Sequence, residues 1–455
     1  MRKNNHLNVI LITIDALRAD FVGFLSEHHK DKKISLTPNL DKLAESSVIF
    51  TNAITHAPYT SASFPSLFTS KYPSAASSFV SKRISVANYP FAVLKAEHPT
   101  MAEILKQYGY TTGGFHSSPW LVRTFKYDRG FDTFDDTLYL SNTNPILRRI
   151  PLTKHDLIHI IGKQSYLTAA NINRKVIPWL ERASKPFFLW IHYMDTHGPY
   201  QPKRGFAYLN KLRAELLWYK ATRFPDKVSQ NGRKSLISWY KEEITYLDEH
   251  LGTLFKVLEN LNLYRDTVLI ITSDHGEAFY ERKMFSHPRL LYDELIRVPL
   301  IIKFPYLKEK KVISHPVGLI DILPTIVDIL NFRLDGVQFD GNSLMPLIEK
   351  NCSDNLPDYV ISDAAPEKGD KHVSLRTTKW KYIMNEEKGE HELYNLDRDP
   401  NEQINLIDKV PNVAEAFASK LKAVLPKIKG KYIETHDPKL DEGLRDRLKA
   451  LGYMD

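Results

Sequence analysis

Residues 8–20 read Asn-Val-Ile-Leu-Ile-Thr-Ile-Asp-Ala-Leu-Arg-Ala-Asp. From Asn8 to Ile14 the run is of strand length and nearly all apolar, and it stops at Asp15. Apolar side chains at consecutive positions fill both faces of a strand, which requires a sheet covered on both sides. Pro186–His192 (PFFLWIH), Thr267–Ser273 (TVLIITS) and Val298–Lys303 (VPLIIK) have the same character. Between these runs, Thr100–Tyr108, Asn171–Ala183, Trp239–Leu261 and Ile320–Leu330 carry apolar residues every three to four positions, the pattern of covering helices. The alternation predicts an α/β fold with a large, mostly parallel central sheet between helices.

Outward from that frame, a chain of 455 residues exceeds one ordinary core and calls for a large domain plus a smaller one. The pattern changes near residue 350. Val373–Arg376, Trp380–Met384 and His391–Leu396 are short alternating segments, followed by charged helical sequence from Val413. The expected division is a catalytic domain over 1–350 and, over 351–455, a small antiparallel sheet with a terminal helix. Residues 136–165 are polar and basic without a clear period and read as an excursion from the sheet. Residues 201–235 hold nine Lys or Arg against Glu215 and Asp226, a local +7 in a chain of net charge +8. This basic insertion either folds over a site mouth and attracts an anion or is simply solvated; its aromatics Tyr208, Trp218, Tyr219 and Phe224 either stack on ligand rings or form a small core of their own.

The single cysteine, Cys352, excludes a disulfide framework and a cysteine-rich zinc module. Leu7–Ile14 is short and lacks a small-residue cleavage site after it. Val317–Phe332 is broken by Asp321, Pro324 and Asp328, so no segment reaches the roughly 20 apolar residues of a membrane span. A cytoplasmic protein is expected. The modest positive charge welcomes an anionic partner without implying nucleic acid.

In an open α/β sheet, ligands bind beyond the carboxyl ends of strands. Three ends here carry suitable groups: Asp15 after the first run, Ser273-Asp274-His275-Gly276-Glu277 after the third, and His192-Tyr-Met-Asp195-Thr-His197-Gly-Pro199-Tyr200 at the second. Carboxylates and imidazoles without thiolates suit Zn, Mn, Ca or Mg. Adjacent Asp274 and His275 can converge on one ion where the chain bends, and Gly276 permits a bend. His192, inside the strand run, is expected to pack there. A fourth segment, Thr60-Ser-Ala-Ser-Phe-Pro-Ser-Leu-Phe-Thr69, opens as a helix whose N-terminus favours an anion. Pro65 implies an irregular first turn or a start nearer Ser63.

Together these segments resemble the sulfatase branch of the alkaline phosphatase superfamily, and the likeness extends through Gly130-Phe-Asp132, Arg297-Val-Pro-Leu-Ile, Asp340-Gly-Asn-Ser-Leu, WKYI at Trp380–Ile383 and ELYNLDRDPNEQINL at Glu392–Leu406. The resemblance implies an alkaline-phosphatase-like sandwich and a divalent ion held by Asp15, Thr60, Asp274 and His275. It also implies attack by an ion-activated nucleophile to give a covalent enzyme ester. His197 and His287 match positions that contact the ester oxygens or protonate the leaving group. Asp195, His197 and His287 could complete a second ion site, though one ion is the expectation.

The departures matter as much. Sulfatases use a formylglycine made from Cys or Ser at the head of a Cys/Ser-x-Pro-x-Arg motif; here that head falls on Thr60, with Ala62 for Pro and Phe64 for Arg. Threonine cannot become formylglycine by that route. The Gly-Lys-Trp-His segment is replaced by Thr-Thr-Gly-Gly-Phe-His-Ser-Ser at 111–118, and the second acid of the Asp-Asp pair is Ala16. The set resembles threonine-nucleophile members acting on phosphate and phosphonate esters, with Ser61 the alternative nucleophile. The expected substrate is an anionic small-molecule or glycan ester. A true sulfatase with an unmodified hydroxyl and a non-catalytic anion-binding relative are the competing readings.

Overall fold

The computed structural model describes residues 7–25, 35–79, 91–137, 166–200, 207–350, 352–354, 356–364 and 371–428. The excursion expected at 136–165 and the chain beyond 428 fall almost wholly outside them. The central sheet is built from β1 (Asn8–Ile14), β2 (Val48–Ile54), β3 (Thr111–Phe115), β4 (Thr133–Asp135), β5 (Phe187–Tyr193), β6 (Thr267–Ser273), β7 (Arg297–Lys303), β8 (Lys311–Ile313) and β9 (Val317–Gly318). Their spatial order is β8-β2-β7-β6-β1-β5-β3-β4, with β9 also on β2. β7 runs antiparallel to both neighbours, and every other pairing is parallel.

The core explains why β1 is apolar throughout. Val9 and Leu11 join one layer with Phe64, Phe68, Trp190 and Val268, while Ile10, Ile12 and Ile14 join the opposite layer with Ile244, Leu247, Leu251 and Ile271. Each such side chain contributes roughly 1.5–3 kcal/mol on burial. β3 escaped the apolar-run reading because it is Thr-Thr-Gly-Gly-Phe. A β-carbon on Gly113 would lie 2.6 Å from the Trp179 indole, so the strand trades hydrophobicity for close packing.

Six helices matter for the site: α1 (Thr60–Thr69), α2 (Ala169–Leu180), α3 (Ala207–Arg223), α4 (Gln230–Asn260), α5 (Ile322–Ile329) and α6 (Pro411–Ile428). α4 begins well before the expected Trp239 because Ser229 caps it, accepting the Gly232 N–H at 3.2 Å. It buries Leu236, Tyr240, Ile244, Leu247, Leu251, Leu254 and Leu258 as one stripe. α1 starts at Thr60 in spite of Pro65. Its first turn tightens, with the Ala62 and Ser63 N–H groups both donating to Tyr59 O at 3.2 and 3.0 Å.

Beyond residue 350, β10 (Val360–Asp363), β11 (His372–Arg376), β12 (Trp380–Asn385) and β13 (Glu390–Asn395) form an antiparallel sheet covered by α6. The sheet docks through a buried ionic knot. Lys381 Nζ lies 2.8 Å from Asp293 Oδ1 and 2.9 Å from Glu402 Oε1, and Arg376 grips Asp293 at 2.8 Å. Asp293 is six residues past His287.

Candidate active site

Asp15 sits at the end of β1, its N–H donating to Tyr193 O at 2.9 Å. The next residue, Ala16, is left-handed (φ 58°), an uncommon conformation for a side-chain-bearing residue. That turn aims the Ala16 N–H at Asp274 Oδ1, 3.2 Å away. Asp274 and His275 follow β6 directly. Gly276 serves here by lacking a β-carbon, not by a left-handed bend: one placed there would lie 2.1 Å from Glu294 O. Thr60 opens α1, so its hydroxyl stands at the positive end of the helix, which favours an anion.

These four residues, from three stretches distant in the chain, meet. Thr60 Oγ1 is 3.4 Å from Asp15 Oδ2 and 3.2 Å from His275 Nε2. His275 Nε2 is also 3.5 Å from Asp15 Oδ1 and 3.6 Å from Asp274 Oδ2. The His275 Nδ1–H donates to Gly276 O at 2.8 Å, so a neutral ring presents its Nε2 lone pair to the two carboxylates. Asp15 Oδ1 and Asp274 Oδ2 are buried without a hydrogen-bond donor. Lone pairs gathered from two carboxylates and an imidazole repel one another unless a proton or a cation lies among them. Among the described residues, Asp15, Asp274 and His275 are the set whose ligand atoms all lie within 4.8 Å of one another, a hard oxygen and nitrogen set that fits a divalent cation.

The electrostatics agree. Burial and the Asp15 charge push Asp274 up to about 7, against the opposing pull of His275. Burial acts to raise Asp15 too, but the neighbouring His197, the His192 contact and His275 outweigh it and hold this carboxyl well below the usual range. Burial keeps His275 below the ordinary histidine value.

His197 and His287 complete a second rank. Their rings lie 5.1 Å apart, and His287 is 4.5 Å from the His275 ring. Burial, then the neighbouring His197, pushes His287 down to about 3. Behind it, Glu277 Oε1 is 3.6 Å from His287 Nδ1, and the Tyr200 hydroxyl donates to Glu277 Oε2 at 3.3 Å. Burial pushes Glu277 up to about 8. Asp195 Oδ1 accepts the Ala169 N–H at 3.0 Å, at the head of α2, and Asp195 is not in the cluster of ligand atoms found among the described residues.

His192 departs from the expectation of mere packing. It is wholly buried, but its Nε2 points at Asp15 Oδ2 from 3.3 Å. The signal for this lay in register rather than composition, since His192 of β5 pairs with Thr13 of β1, two residues before Asp15. Phe64 packs edge-on against His192 at 5.0 Å, so the position given to arginine in the sulfatase pattern is here a dry wall.

The basic insertion adjoins this site. Trp218 of α3 packs on Tyr200 at 5.0 Å and so closely over Gly198 that a β-carbon there would lie 2.2 Å from the indole. Asp226 accepts from the Tyr280 hydroxyl at 2.6 Å, and Arg233 covers the Tyr280 ring at 3.3 Å. The insertion thus braces the segments that carry His197 and lead to His287. Tyr219 and Phe224 are exposed and form no core.

A mostly parallel sheet that gathers two carboxylates, an imidazole and a hydroxyl beyond its strand ends defines an alkaline-phosphatase-like ester hydrolase. Residues 7–332 match the model of the Sulfatase family, and the chain belongs to it. Residues 281–431 match the model described as N-sulphoglucosamine sulphohydrolase, C-terminal. Among characterised relatives, the ulvan-active sulfatase of Formosa agariphila is 26% identical over 88% of this chain and 77% of its own. Among solved structures, the phosphonate monoester hydrolase of Agrobacterium radiobacter superposes with a TM-score of 0.70 at 21% identity, covering 93% of this chain and 96% of that one. A 2-O GAG sulfatase, BT1596, does so with 0.73 at 19% identity, covering 95% and 96%. The fold is theirs, and the family generally uses a divalent metal ion.

Proposed function

We propose that this protein cleaves a phosphate or phosphonate ester, or transfers its phosphoryl group to an alcohol, through a covalent ester on Thr60. The observation that carries the reading is the Thr60 hydroxyl at the head of buried α1, 3.4 Å from Asp15 and 3.2 Å from His275. Asp15, Asp274, His275 and Thr60 would hold the divalent ion. Bound there, it supplies positive charge that lowers the hydroxyl's pKa and draws negative charge from the ester oxygens. Thr60 Oγ, its proton given up to solvent water, forms the new bond to phosphorus as the bond to the leaving oxygen breaks, in line. Water or an acceptor alcohol then releases the group and restores the hydroxyl.

His197 and His287 are assigned to the ester oxygens and the leaving group. The low pKa of His287 belongs to a site without substrate; an anionic ester placed against the ring favours its charged form and lets it deliver a proton. The basic insertion, packed against the His197 turn, supports an anionic substrate.

The phosphorus preference rests on three residues: Thr60, which cannot become formylglycine, and Ala62 and Phe64 in place of the motif's Pro and Arg. The second reading, sulfate ester hydrolysis by the unmodified hydroxyl, is favoured by the sulfatases among the relatives. Turnover of aryl phosphate, phosphodiester, phosphonate monoester and sulfate ester panels with Mn2+ or Zn2+, before and after Thr60→Ala, decides between them. Sulfate turnover that survives Thr60→Ala would overturn the nucleophile assignment.

A further inference from the structure

We infer that His192 is a positioning residue that fixes the Asp15 carboxylate, and that a three-residue relay across β1 and β5 locks its tautomer. The inference rests on the reading of Asp15 as a metal ligand. The relay begins at Trp190, whose indole N–H can only donate and lies 3.0 Å from Thr13 Oγ1. Thr13 has one hydroxyl proton. His192 Nδ1 takes it at 3.0 Å, a better partner than the Ile191 carbonyl at 3.4 Å.

With Nδ1 accepting, the neutral ring carries its proton on Nε2, which lies 3.3 Å from Asp15 Oδ2 in a close contact not aligned as a hydrogen bond. The opposite tautomer would set a lone pair against a carboxylate oxygen, with both side chains wholly buried. Asp15 Oδ2 therefore lies beside the His192 N–H, whereas Oδ1, without a donor, is left to the cluster shared with Asp274 and His275. The ring has little freedom to turn. Phe64 meets it edge-on at 5.0 Å, Trp190 lies parallel at 6.2 Å, and Thr13 stands opposite His192 in strand register. Phe64 belongs to the helix that presents Thr60, so the hydroxyl and the partner of Asp15 are clamped by one element. Outer groups that orient a metal ligand typically govern affinity by 10–100-fold.

The test measures Mn2+ dissociation constants of the full chain at pH 7.5, by the paramagnetic resonance of free Mn2+, for the wild type, His192→Phe, His192→Gln, Thr13→Val, Asp15→Asn and the double variant Asp15→Asn/His192→Phe. His192→Phe should weaken binding about 10–100-fold. His192→Gln, whose amide restores an N–H near the place of Nε2, should recover most of that loss. Thr13→Val, which removes the relay without touching the imidazole, should weaken binding by a smaller factor and keeps the test alive should His192→Phe not fold. The double variant should bind no more weakly than Asp15→Asn alone, because His192 acts through that carboxylate. Unchanged affinity in His192→Phe or Thr13→Val, or a further loss in the double variant, overturns the inference. A wild type that binds neither Mn2+ nor Zn2+ instead overturns the metal reading beneath it.

Discussion

Cation binding should expel close to one proton at pH 6 and almost none at pH 8. The proton is that of Asp274, whose carboxyl burial and the Asp15 charge push up to about 7, while Asp15 stays ionised beside His197, His275 and His192. A single group of pKa near 7 is about 90% protonated at pH 6 and about 10% at pH 8, and a bound cation must displace that proton. The sign follows: a raised carboxyl pKa favours the protonated form, so affinity rises as pH climbs towards 7 and levels off above it. Below 7 the loss is about tenfold, or roughly 1.4 kcal/mol, per pH unit. Burial lowers His275 below the ordinary histidine value, which reduces the share of the released protons it can supply. Calorimetric titration with Mn2+ at pH 6, 7 and 8, in two buffers of different protonation enthalpy, counts the protons directly. Equal proton release at pH 6 and pH 8 would refute the account of two carboxylates sharing one space. Asp274→Asn should bind more weakly and lose the pH dependence.

Thr60→Ser should keep measurable turnover and, on a slow substrate, show the covalent ester by intact-protein mass spectrometry, whereas Thr60→Ala should lose the adduct but still bind Mn2+. His287→Gln should slow esters of poorly acidic alcohols far more than nitrophenyl esters, since only the former depend on a delivered proton; an equal loss for both would assign His287 to binding alone. Lys381→Met should destabilise the chain by about 3–5 kcal/mol in urea unfolding, because it strands the Glu402 carboxylate in the interior and leaves Asp293 to Arg376 alone.

Much of this was legible before any coordinates. β1 and β6 announced themselves because both their faces are apolar, and Asp15, Asp274 and His275 because each follows such a run. Thr60 could be read only through the resemblance to the sulfatase motif, since the helix-head pattern alone left the start open between Thr60 and Ser63. What stayed hidden depends on tertiary neighbours. β3 looks like a loop until Trp179 is found over Gly113. His192 looks like filling until β5 is laid in register beside β1, and Glu277 looks like the tail of a motif until Tyr200 and His287 close around it. Asp195, whose position suggests an ion ligand, also caps α2, a role its sequence neighbours do not reveal.

The ionic knot under the C-terminal sheet has a consequence for biosynthesis. Asp293 anchors the stretch that carries His287 into the site, but the cations that neutralise it, Arg376 and Lys381, emerge from the ribosome more than eighty residues later. A nascent or prematurely terminated chain would already own Thr60, Asp15, Asp274 and His275 while the His287 stretch lacked its anchor. Catalytic competence should therefore arrive late in translation, after the last sheet has closed on the first.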